Sequence, residues 1–237
     1  VVRDPPVRIV LLRPRNPENL GAAARAMKNF GLSDWVIAAL GTHDFASARR
    51  VAVRAEDLLD RPRLVRTLDE AVADCAWVVG TTSRRVRGRR RLAPDEVARE
   101  ALARAGRGRT AIVFGDERGG LTREEVLRCH DLSAIPSGEA QPSLNLAQSV
   151  VVYAYEVRRA ALAAGSRPVA RAEADAADGE TIRVEQALRE ALRAAGFLAG
   201  PERHAVRDLL ATIRRGRLSR REVGLWLAAL HTLGRKR

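Results

Sequence analysis

Residues 135–156 read IPSGEAQPSLNLAQSVVVYAYE, a polar loop bracketed by Pro136 and Pro142 that passes through Ser143-Leu144-Asn145 directly into an apolar helix. Small polar residues at a helix mouth present hydroxyl, amide and unpaired backbone N–H groups to whatever lies in front of the helix. An ordinary capped helix has the same look, so the stretch gains meaning only from its company.

Upstream, the apolar run Val7 to Leu12 reads as a buried strand. It is followed by Asn16-Pro17-Glu18-Asn19-Leu20-Gly21-Ala22-Ala23-Ala24-Arg25, a turn and then a helix that closes at Phe30-Gly31. Asn19 is the expected N-cap, and Gly31 stands where a left-handed terminator is expected. Gly21 and Arg25 are four apart and share one helix face. That face is expected to admit a phosphate or ribose against the backbone, with Arg25 reaching over it. An arginine on a helix most often only meets solvent, so this string is weak alone.

A third stretch is Ala111-Ile112-Val113-Phe114-Gly115-Asp116-Glu117-Arg118-Gly119-Gly120-Leu121-Thr122. A strand ends at Phe114 and enters a loop whose glycines let main-chain groups approach a ligand closely. Thr122, Glu124 and Glu125 then open a helix with acidic residues in its positive first turn.

Together, in this order and each at a strand end, the three blocks resemble the signature of the SpoU/TrmH-type RNA ribose methyltransferases, a branch of the SPOUT class. The resemblance runs over roughly residues 7 to 160. It implies an α/β domain with a parallel sheet and a deep trefoil knot whose loops bind S-adenosylmethionine. It places the donor against Thr81, Thr82, Ser83, Gly115, Ile135, Pro142, Ser143 and Leu144. It makes Arg25 the catalytic arginine, with Asn19, Glu117, Ser143 and Asn145 in supporting roles, and it implies a homodimer. A guanidinium gives up its proton only above about pH 12. Arg25 therefore suits phosphate holding or oxyanion stabilisation better than proton removal. Asn19 is expected to orient Arg25 or the ribose, and Glu117 to pair with an arginine, either Arg25 or one in the facing subunit. One departure is local: many relatives of the TrmJ subgroup carry an aromatic residue and a serine where this chain has Gln141 and Pro142, which leaves the target base open.

Charge agrees with a polyanionic partner. The 237 residues carry a formal net charge of +13, almost all of the cations being arginine. Such a field attracts phosphates, whose contacts release condensed counterions. Arg84, Arg85, Arg87, Arg89, Arg90 and Arg91 fall within eight residues after the apolar run Trp77 to Gly80. They read as an RNA-facing loop, the bland alternative being a solvated one.

No apolar run approaches the roughly 18 residues of a membrane span, and no signal peptide opens the sequence, so a cytoplasmic protein is expected. Cys75 and Cys129 are too few for a metal site or a disulfide framework, and no metal is expected. His43, His130, His204 and His231 form no spaced cluster and read as surface or packing residues.

Strands are expected at 7–12, 34–39, 76–80, 111–114 and 132–135, and helices at 19–30, 47–59, 67–73, 94–104, 122–128 and 144–163. This alternation argues for a parallel sheet covered on both faces. The division expected is a methyltransferase domain over 1–163, a linker over 164–180 and a helical extension over 181–237. That extension is similar to the tails of the TrmJ subgroup, which methylates the ribose at position 32 of the tRNA anticodon loop. Two alternatives stand beside tRNA: a ribosomal RNA substrate for the same chemistry, and an RNA-binding protein without catalysis.

Overall fold

The computed structural model describes residues 5–60, 62–165, 176–197 and 204–234. Seven strands form one parallel sheet: β1 (Val7–Leu12), β2 (Trp35–Ala38), β3 (Arg63–Val65), β4 (Cys75–Thr81), β5 (Arg91–Leu92), β6 (Arg109–Phe114) and β7 (Asp131–Ser133). Their spatial order is β3-β2-β1-β6-β4-β7-β5. Every residue of β1 is buried, because both faces of a parallel sheet are covered and no polar alternation is needed. Ile9, Leu11, Trp77, Val79, Ile112 and Phe114 point to one side. They meet α1 (Pro17–Asn29), α5 (Pro94–Ala103) and α7 (Leu146–Ala164) there. Val10, Leu12, Val78, Ala111 and Val113 point to the other side, onto α4 (Leu68–Val72) and α6 (Arg123–Arg128).

Because the strands are parallel, the loops after β1, β4, β6 and β7 all emerge at one edge. Those loops are the sequence blocks read above, and such an edge is where open α/β sheets bind ligands.

Several local expectations are corrected. The helix expected over 47–59 is two, α2 (Phe45–Val51) and α3 (Glu56–Asp60), parted by a turn in which Arg54 has φ +63°. The strands β3 and β5 escape pattern reading because one is a largely exposed edge and the other spans two residues inside the arginine run. The N-cap of α1 is Asn16, whose Oδ1 accepts from the Glu18 N–H at 2.8 Å, with Pro17 at the first helical position. Asn19 is thereby released for other work. Gly21 does not leave a face open to ligand: a Cβ there would lie 2.0 Å from the Ala48 carbonyl oxygen, so the glycine serves the crossing of α1 over α2.

Ten of the residues expected as linker, 166–175, lie outside the described residues, and α8 (Asp178–Ala194) already begins within the expected span. With α9 (His204–Arg215) and α10 (Arg220–Gly234) it shares a small core of Val184, Ala187, Ile213, Val223 and Leu230. This unit docks at the opposite edge of the sheet from the blocks. The Gly179 N–H donates to Ala73 O at 2.7 Å, and Arg214, held within the unit by Asp178 at 2.6 Å, donates to Arg128 O at 3.0 Å. Arg217, in a left-handed turn at φ +48°, donates to Glu100 at 2.7 Å and to Asp131, and stacks 5.4 Å from the buried Trp77 ring. Buried ion pairs offset much of their attraction by desolvation, so these contacts fix the docking geometry more than they add stability.

Candidate active site at the carboxyl edge of the sheet

A chain of side-chain hydrogen bonds joins the three sequence blocks. Asn145 caps α7, its Oδ1 accepting from the Ala147 N–H at 2.8 Å, and its Nδ2 donates to Asn19 Oδ1 at 2.8 Å. The Asn19 amide donates in turn to Glu117 Oε1 at 3.1 Å. Glu117 also accepts from the backbone N–H groups of Arg15 and Asn16, each at 3.1 Å. Within the chain its partners are therefore an amide and a turn, and the Arg25 guanidinium is not among them. Each amide has one orientation that satisfies both neighbours, so the chain has a fixed polarity. Burial works to raise the Glu117 pKa, but the bonds from Asn19, Asn16 and Arg15 outweigh it and hold the carboxyl below the usual range.

Beside this chain lies a cavity of about 350 Å³. Thr81, Thr82, Ser83, Gly115, Ile135, Pro142, Ser143 and Leu144 all line it, as does Glu117. Asn19, Arg25 and Asn145 are not among its lining residues. The loop wall at Gly115 is folded tightly on itself: a Cβ there would stand 2.0 Å from the Gly120 carbonyl carbon. Tyr153 forms part of the floor. Its hydroxyl donates to Ser133 Oγ at 2.7 Å, Ser133 donates to Leu92 O at 2.8 Å, and its ring meets Phe114 edge-on. Sequence reading took Tyr153 only as part of an apolar helix; its burial at a helical interval from Val150 and Val157 gave no sign of a pocket. Asp116 was also missed. It lines the same cavity and accepts from the Arg118 and Gly119 N–H groups at 2.8 and 2.6 Å.

Arg25 is exposed on α1, six residues beyond Asn19, and no contact orients it from Asn19. The arginine run divides. Arg84, Arg85, Arg87, Arg89 and Arg91 line a second cavity of about 670 Å³ that shares Ser83, Arg84, Ala134 and Ile135 with the first. Arg89 is turned inward to the carbonyls of Cys129 and His130, and Arg91 donates to Ser83 O at 3.1 Å. Arg90 pairs with Glu100 at 2.9 Å and does not line the cavity. Four of the six expected RNA-facing arginines thus carry structural contacts, Arg84 by donating to Leu121 O. Burial pushes the His130 imidazole down to about pKa 3; neutral, it accepts from the Val78 N–H at 3.0 Å, a packing role. Among the described residues no group of His, Cys, Asp and Glu is gathered as for a metal ion, and no helix is long and apolar enough to cross a membrane.

Residues 6–155 match the model of the SpoU rRNA Methylase family. The chain is 44% identical over 167 residues to the tRNA (cytidine/uridine/adenosine-2′-O-)-methyltransferase TrmJ of Pseudomonas aeruginosa, covering 68% of this chain and 64% of that one. The chain thus spans under two thirds of that relative's length. It is 41% identical over 178 residues to the tRNA (cytidine/uridine-2′-O-)-methyltransferase TrmJ of Salmonella choleraesuis, covering 74% and 70% respectively. The crystal structure of TrmJ from Z. mobilis ZM4 superposes with a TM-score of 0.84 at 31% identity, over 95% of this chain and 98% of that one.

Proposed function

The chain belongs to the SpoU methylase family, and on that premise we propose that it is an S-adenosylmethionine-dependent RNA 2′-O-ribose methyltransferase whose substrate is the tRNA anticodon loop, at position 32. The observation that carries this reading is the chain from Asn145 through Asn19 to Glu117, which brings three distant blocks together beside one pocket.

The pocket suits S-adenosylmethionine by the chemistry of its lining. Ile135, Leu144, Leu146 and Phe114 offer apolar surface for an adenine, and Thr82, Ser83 and Ser143 offer hydroxyls for ribose and amino-acid groups. Asp116 and Glu117, both held ionised, supply negative charge near a sulfonium. When bound, the donor supplies an electrophilic methyl group. The protein's own contribution is to position the ribose hydroxyl in line with it and to stabilise the charge that develops on that oxygen. Arg25, exposed and without a partner among the described residues, holds the substrate phosphate or that oxygen. Ser143 and Asn145, at the mouth of α7, present the polar edge between donor and ribose. Arg85 and Arg87, uncommitted beside the second cavity, contact RNA phosphates, with Arg84, Arg89 and Arg91 lining the same trough.

The proposal includes the trefoil knot of the family; what supports it is the placing of β7 between two strands made earlier, β4 and β5. The outer face of α7 leaves Val151, Tyr155 and Leu162 exposed, an apolar strip suited to a second copy and so to a homodimer. Modification of tRNA would place the protein in the cytoplasm, and no step needs a metal.

Transfer of label from S-adenosylmethionine to unmodified tRNA and ribosomal RNA, followed by mapping of ribose methylation, tests the proposal. Label at position 32 of tRNA is the expected result. Label confined to ribosomal RNA refutes the substrate, and RNA binding without transfer refutes the enzyme.

A further inference from the structure

Arg13, the residue after β1, lies outside the blocks that carry the family resemblance and lines neither cavity. Its backbone is nevertheless held at φ +51°, a left-handed conformation that an L-residue adopts only against a steric penalty. Its N–H donates to Ala38 O at 2.9 Å, which anchors that turn to β2. From there the guanidinium reaches both ends of the loop after β6. Nε lies 3.4 Å from Asp116 Oδ2, Nη2 lies 3.4 Å from Gly120 O and 3.0 Å from Glu125 Oε2, and Nη1 donates to the other Glu125 oxygen.

Each of those acceptors is itself fixed. Gly120 N–H donates to Asp116 O at 3.0 Å, closing the loop, and Glu125 Oε2 accepts from the Thr122 N–H at 2.7 Å in a capping box. The tie runs the other way as well, since Glu117 of the same loop binds the N–H groups of Arg15 and Asn16. The strand end holds the loop and the loop holds the turn after the strand. Side-chain exposures of 27% for Arg13, 11% for Asp116 and 14% for Glu125 put this fork largely out of water, where charge-assisted bidentate bonds are strongest.

We infer that Arg13 is a positioning residue for the donor pocket, fixing the Gly115–Gly120 wall through Asp116, Gly120 and Glu125 without touching donor or RNA. This rests on the proposed function, since the ligand of that wall is taken to be S-adenosylmethionine.

The test is calorimetric titration of S-adenosylhomocysteine and S-adenosylmethionine into the unsubstituted chain and into Arg13→Met, Arg13→Lys and Glu125→Gln, without RNA. Arg13→Met is expected to weaken binding about tenfold or more, equivalent to about 1.4 kcal/mol, while RNA affinity stays within twofold. In turnover the loss is expected in KM for the donor rather than in kcat. Arg13→Lys should recover only part of the affinity, because one ammonium cannot span both ends of the loop. Glu125→Gln keeps an acceptor for Thr122 and should shift binding in the same direction by less. Arg13→Met binding within twofold of the unsubstituted chain overturns the inference. Should that variant fail to fold, unchanged donor affinity in Glu125→Gln overturns it instead. If the unsubstituted chain binds neither ligand, the proposed function fails, and this inference with it.

Discussion

Glu117 offers the sharpest test of the polar chain, because two substitutions remove different parts of what its carboxylate does. Glu117→Ala deletes the acceptor for the Asn19 amide at 3.1 Å and for the N–H groups of Arg15 and Asn16. Hydrogen bonds to a charged group are worth about 1.5–3 kcal/mol when buried. The two backbone donors face solvent, so water replaces the carboxylate there at a cost of a few tenths each, whereas the Asn19 contact is partly buried and costs about 1 kcal/mol. The sum, about 2 kcal/mol, corresponds to roughly a thirtyfold loss in kcat/KM if it is expressed in the transition state. Glu117→Gln behaves differently. A glutamine oxygen at the Oε1 position still accepts from Asn16, from Asn19 and, at 3.3 Å, from Arg15, losing only the Oε2 contact and the charge. A loss of about three- to fivefold is expected, on the order of 0.6–1 kcal/mol. Because the folded pKa lies below the unfolded value, the carboxylate's contribution is complete above that value and fades as pH falls through the folded one. The unsubstituted chain and Glu117→Gln should therefore differ across neutral pH and converge only as pH falls through the folded pKa, which lies below the ordinary carboxylate range. Steady-state methyl transfer across that series is the assay. Equal defects in the two variants at neutral pH would refute the hydrogen-bond account, as would full activity in Glu117→Ala.

Arg25→Ala should lower methyl transfer by about 10²–10³-fold and leave donor affinity within twofold; weakened donor binding would remove Arg25 from the RNA side. Neutralising Arg85 and Arg87 together should make the salt dependence of RNA binding shallower by about 1–2 in the log–log slope, and an unchanged slope would make them solvated bystanders. Arg217→Ala loses Glu100, Asp131 and the stack on Trp77, and denaturant titration should show about 2–3 kcal/mol less stability with unaltered donor affinity.

Where the chain obeys one dominant rule, the sequence is informative. The run Val7–Leu12, apolar but for Arg8, and the run Ala111–Phe114 read as central strands of a doubly covered sheet, and both are. The residues that the resemblance assigns to the donor come together because it spans whole loops, and those loops line one cavity. What stayed hidden depends on pairs distant in sequence. Asn16 and Asn19 compete for the cap of α1, and only the arrival of Asn145 and Glu117 beside Asn19 shows which of them is spent on the site. Gly21 looked like an opening for ligand, yet Ala48 fills the space. The arginine run carried no mark separating Arg85 and Arg87 from Arg89 and Arg90, because the groups that claim the latter, the Glu100 carboxylate and the Cys129 and His130 carbonyls, lie outside the run. Tyr153 failed for the same reason: a buried aromatic in an apolar helix reads alike over a core and over a pocket floor.

The hydrogen bond from Asn145 to Asn19 spans 126 positions of chain. At a synthesis rate of about 5–20 residues per second, roughly 6–25 s separate the emergence of its two ends from a ribosome. Through that interval the turn after β1 has its own cap but no finished site, so a nascent or truncated chain can be helical at α1 and still chemically inert. The site is complete only once α7 has emerged. A ligand that binds only the completed pocket would therefore report on the arrival of α7, and would raise apparent stability by mass action once that helix is in place.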